Sequence, residues 1–363
     1  MIRKIVEVMF LVLIIQVVSA KRASAQLVPL SPSPCETYYS ANDLGIDLGA
    51  PVPPEVFLIN QNNVPGEEGL SIYGVKTYKC PPPTHEGCNC PCSPPASATA
   101  GNPINLSTGN TYIQQSDVAV PGLGGGLSLV RTWNSEWPQT QSAYQVGLFG
   151  PNWRSSYEER IFAGNDGYIK YSRGNGDFWS FGWAGYDFWT VAAPANFSAT
   201  LLLNGVETEY GEVYTTWTLT FQSGEVRIFD YESGLLTAIF DRNGNATHIG
   251  YDAINRLTSV TDPAGRHLYF GYASSTSWLI TSVTSDVGIS LSYSYDNQGR
   301  LIQLTQPDQT TISFQYDSNS NITAVLDSNG KVLESHTYDS SGRGLSSSRA
   351  NGVGSVTVSY GTN

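Results

Sequence analysis

Catalysis, metal binding and ligand stacking each need particular side chains at particular spacings, and this 363-residue chain offers few of them. It has four histidines, at 85, 248, 267 and 336. Nucleophilic catalysis needs a serine or cysteine beside such a base. No Gly-x-Ser-x-Gly elbow and no His-Glu-x-x-His appear, and His248 and His267 sit in strand-like stretches that suit packed or solvated roles. Gly122-Leu123-Gly124-Gly125-Gly126 is glycine-rich, but no Lys-Ser/Thr follows it and no βαβ pattern surrounds it. It reads as a flexible turn rather than a phosphate loop. Aspartates recur as Asp-x-x-Gly, yet no stretch supplies the six to eight oxygens that calcium takes. No catalytic residue, cofactor or metal is assigned, and the chain is expected not to be an enzyme.

Two other groupings remain. Cys80, Cys88, Cys90 and Cys92 lie close together with His85 nearby, and Cys35 stands apart. Cys-x-Cys-x-Cys lacks the two-residue gaps of zinc knuckles. Disulfides suit an exported chain, with one of the five thiols left over, while free thiols and a metal knot stay open as alternatives. Seven of the eight tryptophans fall between 133 and 217. They read first as core and inter-strand filler. A sugar-stacking platform of Trp179, Trp183 and Trp189 is the sharper alternative, and would make the region a carbohydrate- or surface-binding adhesin module.

What would position such residues is a repeat. Tyrosines at 231, 251, 272, 295, 316, 338 and 360 are spaced by 20 to 23 residues, and Tyr251-Asp252, Tyr295-Asp296, Tyr316-Asp317 and Tyr338-Asp339 are Tyr-Asp pairs. Asp296 to Gly299 and Asp339 to Gly342 follow the tyrosine, and Asp241 to Gly244, Asp262 to Gly265 and Asp327 to Gly330 come later in the cassette. Asp with Gly three residues on is a type I turn signature. Two turns in about 21 residues leave room for two strands. Leu291 to Tyr295 and Thr311 to Tyr316 alternate apolar and polar, as in a sheet with one wet face. Each repeat is one hairpin, which needs its neighbours to be stable. Leu257/Val260, Leu301/Leu304 and Ile322/Val325 are three apart, so the strand either carries a bulge or is packed on both faces.

Tyr-Asp, then Gly/Asn-Arg-Leu, then Val-Thr-Asp-Pro-x-Gly resembles the YD repeat of the RHS proteins, closest at Tyr251 to Pro263. Ahead of it, Gly101 to Tyr112, Leu129 to Ser135 and Phe149 to Tyr157 resemble, in order, the N-terminal RHS domain of the DUF6531 type. Together the likeness covers residues 101–360. It implies an all-β fold of hairpins stacked into a spiralling, curved sheet, in an exported shell or cell-surface protein associated with interbacterial competition or toxin delivery. The family's C-terminal self-cleaving segment and toxin match no residue here, so neither activity is transferred. The expected partner is a C-terminal continuation or another chain at the open sheet edge, with a surface glycan or protein as a further candidate.

The expected organisation is a signal peptide at 1–25, a disordered Pro/Cys-rich leader at 26–100, the N-terminal RHS β-domain at 101–230 and YD repeats at 231–363. Arg3 and Lys4 precede an apolar run to Val18, and Ala23-Ser24-Ala25 offers a cleavage site, with Val18-Ser19-Ala20 as an alternative cut. The run is short for a spanning anchor, so a secreted or cell-surface location follows. The leader holds 13 of the 20 prolines. The net charge is −12, and removing residues 1–25 takes away four bases and one acid, which argues against nucleic acid as a partner.

Overall fold

The computed structural model describes residues 99–361 apart from 102, 137–145, 165–166, 186, 194–196 and 210, and the backbone of three strands before them. The predicted signal and all five cysteines lie outside the described residues. The three strands, Glu36–Tyr38, Val56–Asn60 and Ile72–Lys79, form an antiparallel sheet with Ile72–Lys79 in the middle. The Pro-rich leader, read from sequence as mostly extended with short structured pieces such as Glu55 to Ile59, thus holds three paired strands. Ile72–Lys79 and Val56–Asn60 carry β-branched and aromatic residues between the proline clusters, and such runs pair readily.

Two compact units are distinguished, residues 1–83 with 163–169, and residues 84–162 with 170–363. The second holds two elements that matter for function. One is a three-stranded antiparallel sheet in which Leu127–Asn134 lies between Tyr112–Val120 and Trp153–Ser155. The other is an antiparallel meander of nineteen strands, from Arg160–Ala163 to Val356–Thr357, each strand beside its sequence neighbours, all of it in this unit but for Ala163 and Ile169. Its first and last strands do not pair, so the sheet is open.

The meander follows from its turns. Asp252 N donates to Arg256 O, and Asn255 N donates to Asp252 O at 2.9 Å. The same pair of bonds closes Asp262–Arg266, Asp296–Arg300, Gln306–Thr310, Asp317–Asn321, Asp327–Lys331 and Asp339–Arg343. This is the three-residue hairpin loop, a type I turn ending in a left-handed residue. Gly265, Gly299, Gly330 and Gly342 take that position with φ from 74° to 88°, but Asn255, Gln309 and Ser320 take it without the freedom of glycine.

The residues three apart are explained by a bulge. Gly250 pairs with Ser259 but Tyr251 pairs with Leu257, so Thr258 is the extra residue and both Leu257 and Val260 reach the buried face. The slip recurs at Tyr272, Tyr295, Tyr316 and Tyr338. Strict alternation would send one of each apolar pair to solvent; one unpaired residue per repeat prevents it.

A left-handed L-residue costs about 1–2 kcal/mol, part of which glycine gives back through its freer unfolded chain. Gln309→Gly is therefore expected to stabilise the protein by about 0.5–1 kcal/mol, and Gly330→Ala to cost about 1 kcal/mol. Urea unfolding followed by circular dichroism measures both; a neutral or destabilising Gln309→Gly would show that the turn is not strained.

Candidate functional site

The buried face of the repeat sheet is occupied by the 99–158 segment, and that interface is where the unit's charged and aromatic side chains converge. It is assembled from two devices, a latch within the repeats and a node between the two sheets.

The latch uses the repeat tyrosines from Tyr251 onward. Tyr251 OH donates to Leu236 O, Tyr272 to Leu257 O, Tyr295 to Ile280 O, Tyr316 to Leu301 O, Tyr338 to Ile322 O and Tyr360 to Gly344 O, at 2.6 to 2.8 Å. Each accepting carbonyl opens the strand that follows the previous turn. The aspartate after the tyrosine braces the turn that follows it, the one the next tyrosine latches onto. Asp252 accepts from the backbone N–H of Ile254 and Arg256 and from Arg256 Nε at 2.7 Å. The braced guanidinium then lies over the next tyrosine: Arg256 is 4.4 Å from the Tyr272 ring, Arg300 4.9 Å from Tyr316 and Arg343 4.3 Å from Tyr360. Asp296 and Asp339 hold their arginines in the same way. Turns from the other half of the repeat use the brace alone: Asp262 holds Arg266, and Asp327 accepts from the N–H of Asn329 and Lys331. After Tyr316, Asn321 stands in place of the arginine and donates through its side chain to Asp317. Where Leu235 replaces the arginine ahead of Tyr251, Arg160 donates to Ser233 O at 3.0 Å instead.

The node is a buried arginine. Arg131 is fully buried and pairs through Nε and Nη2 with Asp117, itself the extra residue of a bulge between Ser116 and Val118. Four rings surround the guanidinium, with Trp153 at 4.7 Å, Tyr293 at 5.2 Å, Phe149 at 5.3 Å and Phe314 at 6.0 Å. Burial works against the charge, and the Asp117 carboxylate outweighs it, so the guanidinium pKa is raised. Tyr293 OH donates to Asp117 at 2.8 Å, which ties the small sheet to the repeats. Phe149 packs edge-on against Tyr293 and Trp153 against Phe314. Around the node, Ile280 N donates to Leu148 O, Gly344 N to Gly109 O and Arg266 Nη2 to Pro121 O. Gly344 is obligatory there, because a Cβ would lie 2.2 Å from Thr111 Oγ1. Glu158 is half-buried beside this interface; desolvation raises its pKa, against the pull of Arg154 and the Leu148 N–H.

The other candidates fall as follows. His248 is exposed, His267 is paired through Nδ1 with Asp286 at 2.9 Å, and His336 is buried opposite Ser347. Among the described residues no histidine ring shares a hydrogen bond with a serine. His85 lies outside the described residues, as do the cysteines. Trp179 is buried and stacked on Phe197 at 4.4 Å, so it cannot join Trp183 and Trp189 in an exposed sugar platform. Sequence reasoning does not reach the role of Asp117 and Arg131, although Arg131 stands in a stretch marked by motif; a lone arginine in an apolar strand is the available signal.

Residues 101–181 match the model of a domain of unknown function, DUF6531, and residues 229–267 and 279–311 match the RHS Repeat. No curated protein matches the chain. Among solved structures it is similar to the Photorhabdus luminescens Tc holotoxin pore, at 11% identity over 61% of this chain and 15% of that one, with a TM-score of 0.27. It is similar to TcdB2-TccC3 without its hypervariable C-terminal region, at 14% identity over 65% of this chain and 15% of that one, with a TM-score of 0.29. A porin-like protein from Bacteroides uniformis gives 8% identity, 64% and 92% coverage and a TM-score of 0.26. The chain thus spans 15% of the length of each of the two toxin chains, and likenesses this distant carry no functional weight.

Two outcomes test this interface. Arg131→Met leaves Asp117 buried and unpaired and is expected to cost about 3–5 kcal/mol, most of which Asp117→Leu with Arg131→Met recovers. Denaturant midpoints of the two variants would measure this; equal losses would show that the ion pair, and not the orphaned carboxylate, carries the energy. The turn aspartates predict acid sensitivity. Asp252 is held below the ordinary carboxylate value of 3.8, chiefly by the Arg256 N–H. At Asp262, Asp296 and Asp339 desolvation is the largest effect and acts upward, but the bonds from Arg266, Arg300 and Arg343 outweigh it and the pKa is lowered. A lowered folded pKa contributes stability that is complete above the unfolded value and is lost as pH falls through the folded one. Melting temperature should therefore drop below about pH 4, and less steeply in Asp296→Asn; parallel profiles would sink the assignment.

Proposed function

The chain is an RHS/YD-repeat protein with a DUF6531 domain ahead of its repeats, and from that premise we propose that it is the front part of an exported shell or cell-surface scaffold, without enzymatic activity of its own. The carrying observation is the docking of the 99–158 segment on the buried face of the repeats, through contacts that reach from Arg266 to Gly344. A segment that covers the apolar face of a repeat sheet is suited to closing one end of a frame.

The organisation of the site supports a structural role. Its charged groups are consumed by one another: Arg131 by Asp117, and Arg256, Arg300 and Arg343 by the aspartates four residues before them. An effector carried by sequence beyond the repeats belongs to this reading, and the signal-like residues 1–25 support export.

The test is the intact mass of the native product, isolated from producing cells with an antibody against residues 101–230. A product much larger than residues 26–363, carrying further repeats, is expected. A product of that length alone would replace the shell reading with that of a free-standing binding protein. Loss of a hydrolytic activity on replacing His248, His267 or His336 by alanine would overturn the non-enzymatic part.

A further inference from the structure

At one end of five neighbouring strands the core face of the long sheet runs out into solvent, and the residues there are aromatic. On Phe178–Gly185, Phe181 is fully buried, while Trp183, two residues on and on the same face, is 50% exposed. Trp183 pairs across the ladder with Trp189. The Trp189 ring lies 5.1 Å from Trp217, Trp217 lies 6.3 Å from Tyr231, and Tyr231 lies 5.7 Å from Tyr214. Trp217 is buried at the back of this strip; Trp189, Tyr214 and Tyr231 are half-buried.

Carboxylates flank the rings. Asp187 accepts from Tyr214 OH at 3.1 Å. Glu207 is exposed and shares the face of Gly205, which pairs with Tyr214. Glu232 follows Tyr231 and is exposed. Among the described residues neither Glu207 nor Glu232 has an ion-pair partner, and no guanidinium lies over Trp189, Trp217 or Tyr231.

The repeats show what this combination accepts. In three of them a ring and a carboxylate together hold an arginine, as at Tyr272 with Asp252, Tyr316 with Asp296 and Tyr360 with Asp339. At the Trp183–Tyr231 strip the rings and the carboxylates recur without the chain's own arginine over the three central rings. We propose that this strip is a binding site for a basic, arginine-rich polypeptide segment. Guanidinium groups stack on Trp183, Trp189 and Tyr231 and pair with Asp187, Glu207 and Glu232. Cation–π attraction favours tryptophan and arginine, and the net charge of −12 steers a basic partner toward the chain. The site goes beyond the scaffold reading and does not rest on it.

The full chain is titrated with an oligoarginine peptide and, separately, with maltoheptaose, following tryptophan fluorescence, at low and at physiological salt. Saturable quenching by oligoarginine is expected, weaker at higher salt and reduced about tenfold or more in Trp183→Ala/Trp189→Ala, the loss of roughly 1.4 kcal/mol that two cation–π contacts supply. Glu207→Gln/Glu232→Gln, which leaves the rings in place, should weaken binding and flatten its salt dependence. Equal affinity in the wild type and the double tryptophan variant would reduce the effect to general attraction by an acidic surface and overturn the site. Absence of saturation, or quenching by maltoheptaose and not by oligoarginine, would overturn it as well. Circular dichroism of both variants separates lost binding from lost folding.

Discussion

A phenol hydroxyl donated to the carbonyl of a neighbouring turn's first strand residue is the contact on which the rest of this sheet depends. A two-stranded hairpin is marginal in water. The tyrosine bond crosses from one hairpin to the one before it, and it does so where the ladder has just been broken by a bulge. The bulge frees the carbonyl region and rotates the strand; the tyrosine seals it. The two features come together at Tyr251, Tyr272, Tyr295, Tyr316 and Tyr338. The arginine over the ring completes the link, because its own position is held by the aspartate four residues earlier.

Such a latch makes a sheet but not a core. One face of the meander is apolar, with Leu257, Val260, Leu268, Ile280, Val283, Leu301, Leu304 and Ile322 almost fully buried. Something must cover it, and the cover is a small sheet far earlier in the chain. Tyr293 OH and Asp117 meet across 176 residues, and Trp153 and Tyr316 across 163. Closing loops of that length costs conformational entropy that only a well-packed interface repays. Aromatic edges and one satisfied buried ion pair supply it here.

The buried pair is an instructive choice. Hydrophobic replacements often serve as well for stability, and a half-pair is costly. What Arg131 adds is directional: its guanidinium meets one carboxylate and four rings, contacts that hold Leu127–Asn134 over Tyr293 and Phe314.

The sequence by itself determined the local architecture. Tyrosine spacing, Asp-x-x-Gly turns and period-2 runs gave the hairpins and their order, because each is a matter of φ, hydrogen bonding and side-chain alternation within a few residues. It also carried the family likeness, through motifs whose spacing repeats. It left open whether Leu257 and Val260 were reconciled by a bulge or by double-sided packing, since both fit the same letters; pairing with a neighbouring strand decided. It could not show that Asp117 meets Arg131 and Tyr293, that Gly344 clears room for Thr111, or that Trp179 is buried while Trp183 is exposed. Those depend on which distant surface lies over each residue, and only the folded chain brings those surfaces together.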